Sequence, residues 1–172
     1  MSTAPTMTLA RPNDRDLTIT RTFKAPRVLA FDTFTKPEWL SRWLIGPDGW
    51  ALTVCDVDLR PGGRFRYVWT KPNGKEMGMG GRFVEVTPPS RIVHVEIFDE
   101  DWTGGETQVT TELTEADGVT TMAMTVRYSS EAAREAARVV LAAHQAALQI
   151  DGVAVGVHRR LAEHRHRTVG LV

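Results

Sequence analysis

Between Trp50 and Tyr128 the chain is cut by turn chemistry at five places, and no other feature restricts its fold as much. The cuts are Pro61-Gly62-Gly63, Asn73-Gly74, Pro88-Pro89-Ser90, Gly104-Gly105 and Asp117-Gly118, built from residues that take the tight or positive-φ backbone of turns. Between them lie runs near 51–59, 64–70, 77–86, 91–98, 107–114 and 119–128. These runs alternate apolar with polar residues and are rich in β-branched and aromatic side chains, which is the pattern of strands. A parallel crossover needs a dozen or more residues, so connections this short imply an antiparallel meander.

The stretch DLRPGGRFRYVW carries a glycine pair beside arginines, which admits a phosphate cradle or a turn. A phosphate cradle needs a helix behind it, because the anion is held by free N–H groups at a helix N-terminus. Here Phe65, Tyr67 and Trp69 alternate instead with Arg64, Arg66 and Val68, so a strand follows and the glycines are read as a turn.

Upstream, LTITRTF places Leu17, Ile19 and Phe23 on one face with Arg21 as the lone charge among them, which makes a seventh strand. Pro26 then opens RVLAFDTF and Pro37 restarts the chain at EWLSRWL, so two short helices are expected before Gly46-Pro47. After Ser129-Ser130 the alanine-rich EAAREAARVVLAAHQAALQ reads as a serine-capped helix with Glu131 in its first turn. A break near Gly152 is expected before the helix continues toward Arg165.

A chain of 172 residues fits one domain, since folding at that size buries about 70% of the unfolded surface. Residues 1–15 read as a loose leader, 16–167 as the domain and 168–172 as a tail. Twenty-one basic and 21 acidic residues cancel, which argues against nucleic acid as a partner. No apolar run approaches the roughly 20 residues of a membrane-spanning helix, and membrane insertion is not expected. The single cysteine, Cys55, and an N-terminus without a signal-like apolar stretch suggest a cytoplasmic protein.

The order of strand, two short helices, six-strand meander and long C-terminal helix is that of the helix-grip fold. TFKAPRVLAFDTFTKPEWLSRWLIGP, DLRPGGRFRYVW, GGRFVEVTPPSRIV and RRLAEH together resemble the START-like, SRPBCC superfamily, and within it the activators of heat-shock-protein-90 ATPase and their homologues. The resemblance covers residues 17 to about 166. It implies an α+β, START-like domain in which a curved, seven-stranded antiparallel sheet closes around the last helix and encloses a cavity. The segment from Glu131 to Ile150 is longer than the lead-in usual in that family. Members bind lipids, polyketides and other apolar molecules, some catalyse reactions on them, and some assist a chaperone.

Trp39, Trp43, Phe65, Tyr67, Trp69, Phe83, Phe98, Met122 and Met124 are candidates to line such a cavity, with a pocket of roughly 300 Å³ or more expected for a small-molecule site. Filling a core is the alternative for each. Gly152 and Gly156 are candidates to leave room over it, because glycine within a helix costs about 1 kcal/mol against alanine.

The run RIVHVEIF reads in two ways. Hydrophobicity turns Val93, Val95 and Ile97 inward, whereas the family pattern turns Ile92, His94, Glu96 and Phe98 inward. In the second case an imidazole and a carboxylate share the cavity wall and become candidates for proton transfer.

Arg21 is read as reaching water or pairing with an anion. His158, His164 and His166 lack the i, i+4 spacing of a helical zinc pair, so no metal is expected. Gly78-Met79-Gly80-Gly81 has no Rossmann context, so no nucleotide cofactor is expected. Asp99-Glu100-Asp101-Trp102 is read as a lip of the cavity or a solvated turn.

Three functions stay open on the sequence. The first is binding of a lipid-like or polyketide-like molecule. The others are cofactor-independent catalysis on such a molecule and interaction with a chaperone.

Overall fold

The computed structural model of the chain describes residues 7–46 and 48–138. Strands β1 (Thr8–Ala10) and β2 (Asp16–Phe23) precede helices α1 (Arg27–Thr35) and α2 (Pro37–Leu40). The meander follows as β3 (Ala51–Val57), β4 (Arg64–Thr70), β5 (Glu76–Thr87), β6 (Arg91–Phe98), β7 (Thr107–Ala116) and β8 (Val119–Arg127). Residues 131–138 are helical and are called α3. The strands form one sheet in the order β1-β2-β8-β7-β6-β5-β4-β3, and neighbouring strands are antiparallel throughout. This is the helix-grip arrangement as far as the described residues reach. Gly152, Gly156 and the later part of the expected C-terminal helix lie outside them.

The sheet has eight strands, not the expected seven. The additional strand is β1, which lies inside the segment read as a leader and pairs Thr8 with Thr20 and Ala10 with Thr18. Three residues are too few to show a period, so it carried no readable pattern.

Pro61-Gly62-Gly63 joins β3 to β4 as expected. The turn is also tied sideways to β5, since Gly62 N–H donates to the Phe83 carbonyl at 2.8 Å and Phe83 N–H donates to that of Gly63 at 2.9 Å. Register shifts at Leu52/Val54 and Phe83/Glu85 mark bulges in β3 and β5. Such insertions bend a strand and increase its twist.

Two helices as short as α1 and α2 are held by packing more than by propensity. Phe31 and Leu40 enter the main core with Phe23, Phe65 and Trp69. The buried Thr33 and Thr35 hydroxyls donate to the carbonyls of Leu29 and Phe31, both at 2.8 Å, so neither is left unsatisfied. At the other end of the concave face, Ala133 and Ala137 of α3 pack on Leu17, Val109, Val126 and Tyr128. The Ser130 hydroxyl caps α3 by accepting the Ala133 N–H at 3.1 Å.

Asp16 and Arg127 stand opposite each other on β2 and β8 and form a bidentate pair at 2.8 and 2.9 Å. The Asn13 amide donates to the same carboxylate at 2.8 Å. The Arg127 hydrogen bond, opposed by burial and helped by Asn13, holds the Asp16 carboxyl below its ordinary value of 3.8. A group with a depressed folded pKa stabilises fully above its unfolded value and loses that contribution as pH falls through the folded one. We therefore expect Asp16→Asn to lower stability by about 1.5 kcal/mol at pH 7, the low end of the range for a hydrogen bond to a charged group because the Arg127 side chain is half exposed. Urea midpoints between pH 6 and pH 3 should also show a shallower acid limb in the variant.

Candidate functional site

The alternation of each strand decides what meets beneath the helices. In register, Phe65 of β4 stands opposite Gly81 of β5, and Gly81 stands opposite Glu96 of β6. Phe83 stands opposite His94, and His94 opposite Val109. These side chains share the concave face with Tyr67, Ile92, Thr111, Met124 and Val126. Phe34, Leu40, Trp43 and Leu44 approach from the helix side, and together the two sides surround a cavity of about 160 Å³.

β6 therefore follows the family pattern rather than the hydrophobic one. Ile92, His94 and Glu96 line the cavity, while Ile97 is 39% exposed on the opposite face. Val93 and Val95 are nonetheless buried on that opposite face. There they stand in register between Glu85 and Thr110, and between Arg82 and Gln108. Arg82 is paired with Glu106 at 3.1 Å, and Arg91 with Glu85 at 3.1 Å and Glu112 at 2.5 Å. The stems of such paired side chains cover apolar surface while their heads stay in water.

His94 Nε2 lies 3.1 Å from Glu96 Oε2, and the two side chains are 18% and 17% exposed. Glu96 Oε1 accepts from the Thr107 hydroxyl at 3.5 Å. Phe65 and Phe83 meet the imidazole edge to face, with ring centroids at 5.2 and 6.1 Å. The second ring nitrogen, Nδ1, is buried with no hydrogen-bond partner among the described residues.

Two phenols feel the Glu96 charge. Burial first, then Cys55 and Glu96, raise the Tyr67 hydroxyl well above its usual range. Burial and then Glu96 push the Tyr128 hydroxyl up to about 12. Both stay protonated at neutral pH. The arrangement is an apolar chamber with one polar couple on its wall, able to bind a compact molecule and to orient or accept a proton from it.

Of the residues singled out from sequence, Trp43, Phe65, Tyr67, Phe83, Met124, His94 and Glu96 line the cavity. Trp39, Trp69, Phe98 and Met122 do not. Trp39 is buried with the Arg42 guanidinium 4.4 Å above its ring, and Trp69 donates from Nε1 to the Leu44 carbonyl at 2.8 Å. Phe98 packs on Trp102, ring centroids 5.1 Å apart, and Met122 is core beside Leu113. Gly152, Gly156, His158, His164 and His166 lie outside the described residues.

Sequence reasoning missed Phe34, Leu40, Val57, Val109, Thr111 and Val126 as lining residues. The alternation on β7 and β8 was signal enough to place Val109, Thr111 and Val126 on the inner face. The volume is about half of the roughly 300 Å³ expected, because bulky rings occupy much of the chamber.

The remaining signals are absorbed structurally. The Arg21 guanidinium lies 5.6 Å from the Phe23 ring centroid. Asp99 takes a bidentate pair from Arg66 at 2.7 and 2.6 Å, and Asp101 accepts the Gly105 N–H at 2.9 Å. Asp99-Glu100-Asp101-Trp102 thus begins a hydrogen-bonded turn, and none of its residues lines the cavity. A Cβ at Gly78 would meet the ends of the Arg66 and Asp99 side chains, which would have to shift to admit it. Among the described residues no cluster of three His, Cys, Asp or Glu could hold a metal, and no helix is long and apolar enough to cross a membrane.

The sequence profile of the family described as activator of Hsp90 ATPase homolog 1-like protein matches residues 24–152. A protein of known crystal structure from Rhodobacter sphaeroides is 32% identical, with 92% of this chain and 99% of that one covered and a TM-score of 0.77. One from Mycobacterium smegmatis is 27% identical over 87% of this chain and 96% of its own, with a TM-score of 0.73. One from Nitrosomonas europaea, 23% identical over 88% and 99%, has a TM-score of 0.73 and shares the fold. No curated protein matches the chain.

Proposed function

We propose a ligand-binding function for this chain, which belongs to the activator of Hsp90 ATPase homolog 1-like family: it holds a compact apolar molecule between its sheet and its short helices. The observation that carries this reading is the cavity of about 160 Å³ walled largely by aromatic and aliphatic side chains. An engineered apolar cavity of about 150 Å³ accepts benzene, so the volume suits one ring or a short aliphatic chain. A full acyl chain or a multi-ring polyketide exceeds it, and the lipid-like reading narrows accordingly. The chaperone reading keeps only the family description for support and is not adopted.

Trp43 lines the cavity, and its indole N–H donates to the Thr33 carbonyl at 3.0 Å. One-ring ligands are expected to change its fluorescence and to bind with a negative heat-capacity change, the mark of apolar burial. Trp43→Phe should remove most of the fluorescence response while calorimetry still detects binding. Absence of both signals across a library of compact apolar compounds would refute the proposal.

A further inference from the structure

We infer that the cavity selects a neutral carbonyl compound, a compact ketone, whose oxygen accepts a hydrogen bond from the Tyr67 hydroxyl. The inference rests on the binding reading and specifies its ligand. Tyr67 lies mid-strand on β4, and its ring has neighbours on every side within the sheet. Along the strand the Phe65 and Trp69 rings flank it, with centroids at 5.2 and 6.2 Å. Across the sheet Cys55 of β3 and Met79 of β5 stand opposite it in register, and residues directly opposite share a face. The direction left to the hydroxyl is away from the sheet, into the cavity that Tyr67 lines. Glu96 lines the same cavity, and its charge reaches the phenol.

The Tyr67 hydroxyl has no hydrogen-bond partner among the described residues, and it is not one of the unpartnered polar atoms sealed from solvent. It therefore keeps accessible surface. Other polar groups on the cavity wall are engaged. Thr35 donates to the Phe31 carbonyl at 2.8 Å, Trp43 to that of Thr33 at 3.0 Å, and His94 and Glu96 hold each other at 3.1 Å. The Thr111 hydroxyl, three strands away on β7, is the remaining one.

A ligand that fills the cavity displaces any water held by the Tyr67 hydroxyl. If that ligand is wholly apolar the O–H loses its partner, a loss worth about tenfold in affinity. A ligand oxygen restores the bond. An anionic oxygen is disfavoured, because the Glu96 carboxylate lines the space and no Lys or Arg is among the described residues around it. An alcohol brings a donor of its own that needs a further acceptor, which a carbonyl does not. The apolar walls require the carbonyl to be mounted on an apolar body, and the volume limits that body to about one ring.

Cyclohexanone and methylenecyclohexane have nearly the same shape and differ in C=O against C=CH₂, so the pair isolates the hydrogen bond. Burial alone favours the hydrocarbon, the less hydrated of the two. Tyr67→Phe keeps the ring and its packing, and methylenecyclohexane binding in that variant reports an intact cavity. Calorimetry on the full chain is expected to show Tyr67→Phe weakening cyclohexanone by about tenfold while methylenecyclohexane binds as tightly as before or slightly more tightly. Thr111→Val should leave the ratio of the two affinities as in the wild type.

Infrared difference spectra give a direct reading of the bond. The carbonyl band of bound ¹³C-labelled cyclohexanone should lie at lower frequency in the wild type than in Tyr67→Phe. An affinity ratio or a carbonyl band unmoved by Tyr67→Phe, or a ratio that moves in Thr111→Val instead, would overturn the inference and leave the binding function standing. Failure of both probes to bind the wild-type protein would overturn both.

Discussion

Replacing His94 alone by phenylalanine is expected to destabilise the domain by about 2 to 3 kcal/mol, whereas His94→Phe with Glu96→Leu should return it to within about 1 kcal/mol of the wild type. The single change leaves the Glu96 carboxylate 17% exposed with only the Thr107 hydroxyl at 3.5 Å. Breaking a fully buried pair costs about 3 to 5 kcal/mol, and the residual exposure places this one lower. The double change removes the uncompensated charge together with its partner, and phenylalanine keeps an edge-to-face partner for Phe65 and Phe83. Glu96→Leu alone should cost less than His94→Phe alone, since a neutral imidazole without its partner is easier to bury than a carboxylate. Urea unfolding at pH 7 measures all four corners of the cycle. Additive effects at the two sites would show that the couple is not an interacting unit.

The same couple shows where local sequence grammar stops. Turn residues and alternation suffice for the existence of β2 to β8 and for the antiparallel order of β3 to β8, because each hairpin is a local object; the pairing of β2 with β8 joins distant parts of the chain and follows only from the family resemblance. They do not say which face of β6 points inward, since both faces are substantially buried: Ile92 and His94 by the chamber, Val93 and Val95 beside paired long side chains. Hydrophobicity then favours the valines, although they lie on the convex side.

The tryptophans make the same point. Trp39 and Trp43 are four residues apart and would share a face if the helix continued. Helix α2 ends at Leu40, so Trp43 turns toward Phe34, ring centroids 5.5 Å apart, and reaches the cavity while Trp39 does not. Whether an aromatic fills a core or borders a void depends on partners from five or six elements, and that information is distributed along the whole chain.

Gly81 is the position where a single added carbon should do most damage. A Cβ there would overlap the Val95 carbonyl oxygen, which is backbone of β6 and cannot turn away, and would come within 2.8 and 2.9 Å of ring carbons of Phe65. Overpacking that displaces backbone costs typically 1 to 3 kcal/mol and sometimes more, so Gly81→Ala is expected to lose about 3 kcal/mol or to fail to fold at 37 °C. Gly62 is the control. It has φ +79 but open space around its Cβ position, so Gly62→Ala should cost about 1 to 2 kcal/mol, the penalty of the left-handed conformation alone. The two losses differ in consequence as well as size. Gly81 stands in register between Phe65 and Glu96, so relieving the clash must move the Phe65 ring or the β6 backbone that carries His94. Gly81→Ala should therefore weaken the binding of one-ring apolar ligands even at temperatures where it remains folded, while Gly62→Ala leaves that affinity unchanged. Equal stability losses in the two variants, or unaltered affinities in Gly81→Ala, would contradict this account of why β5 carries a glycine beneath the cavity.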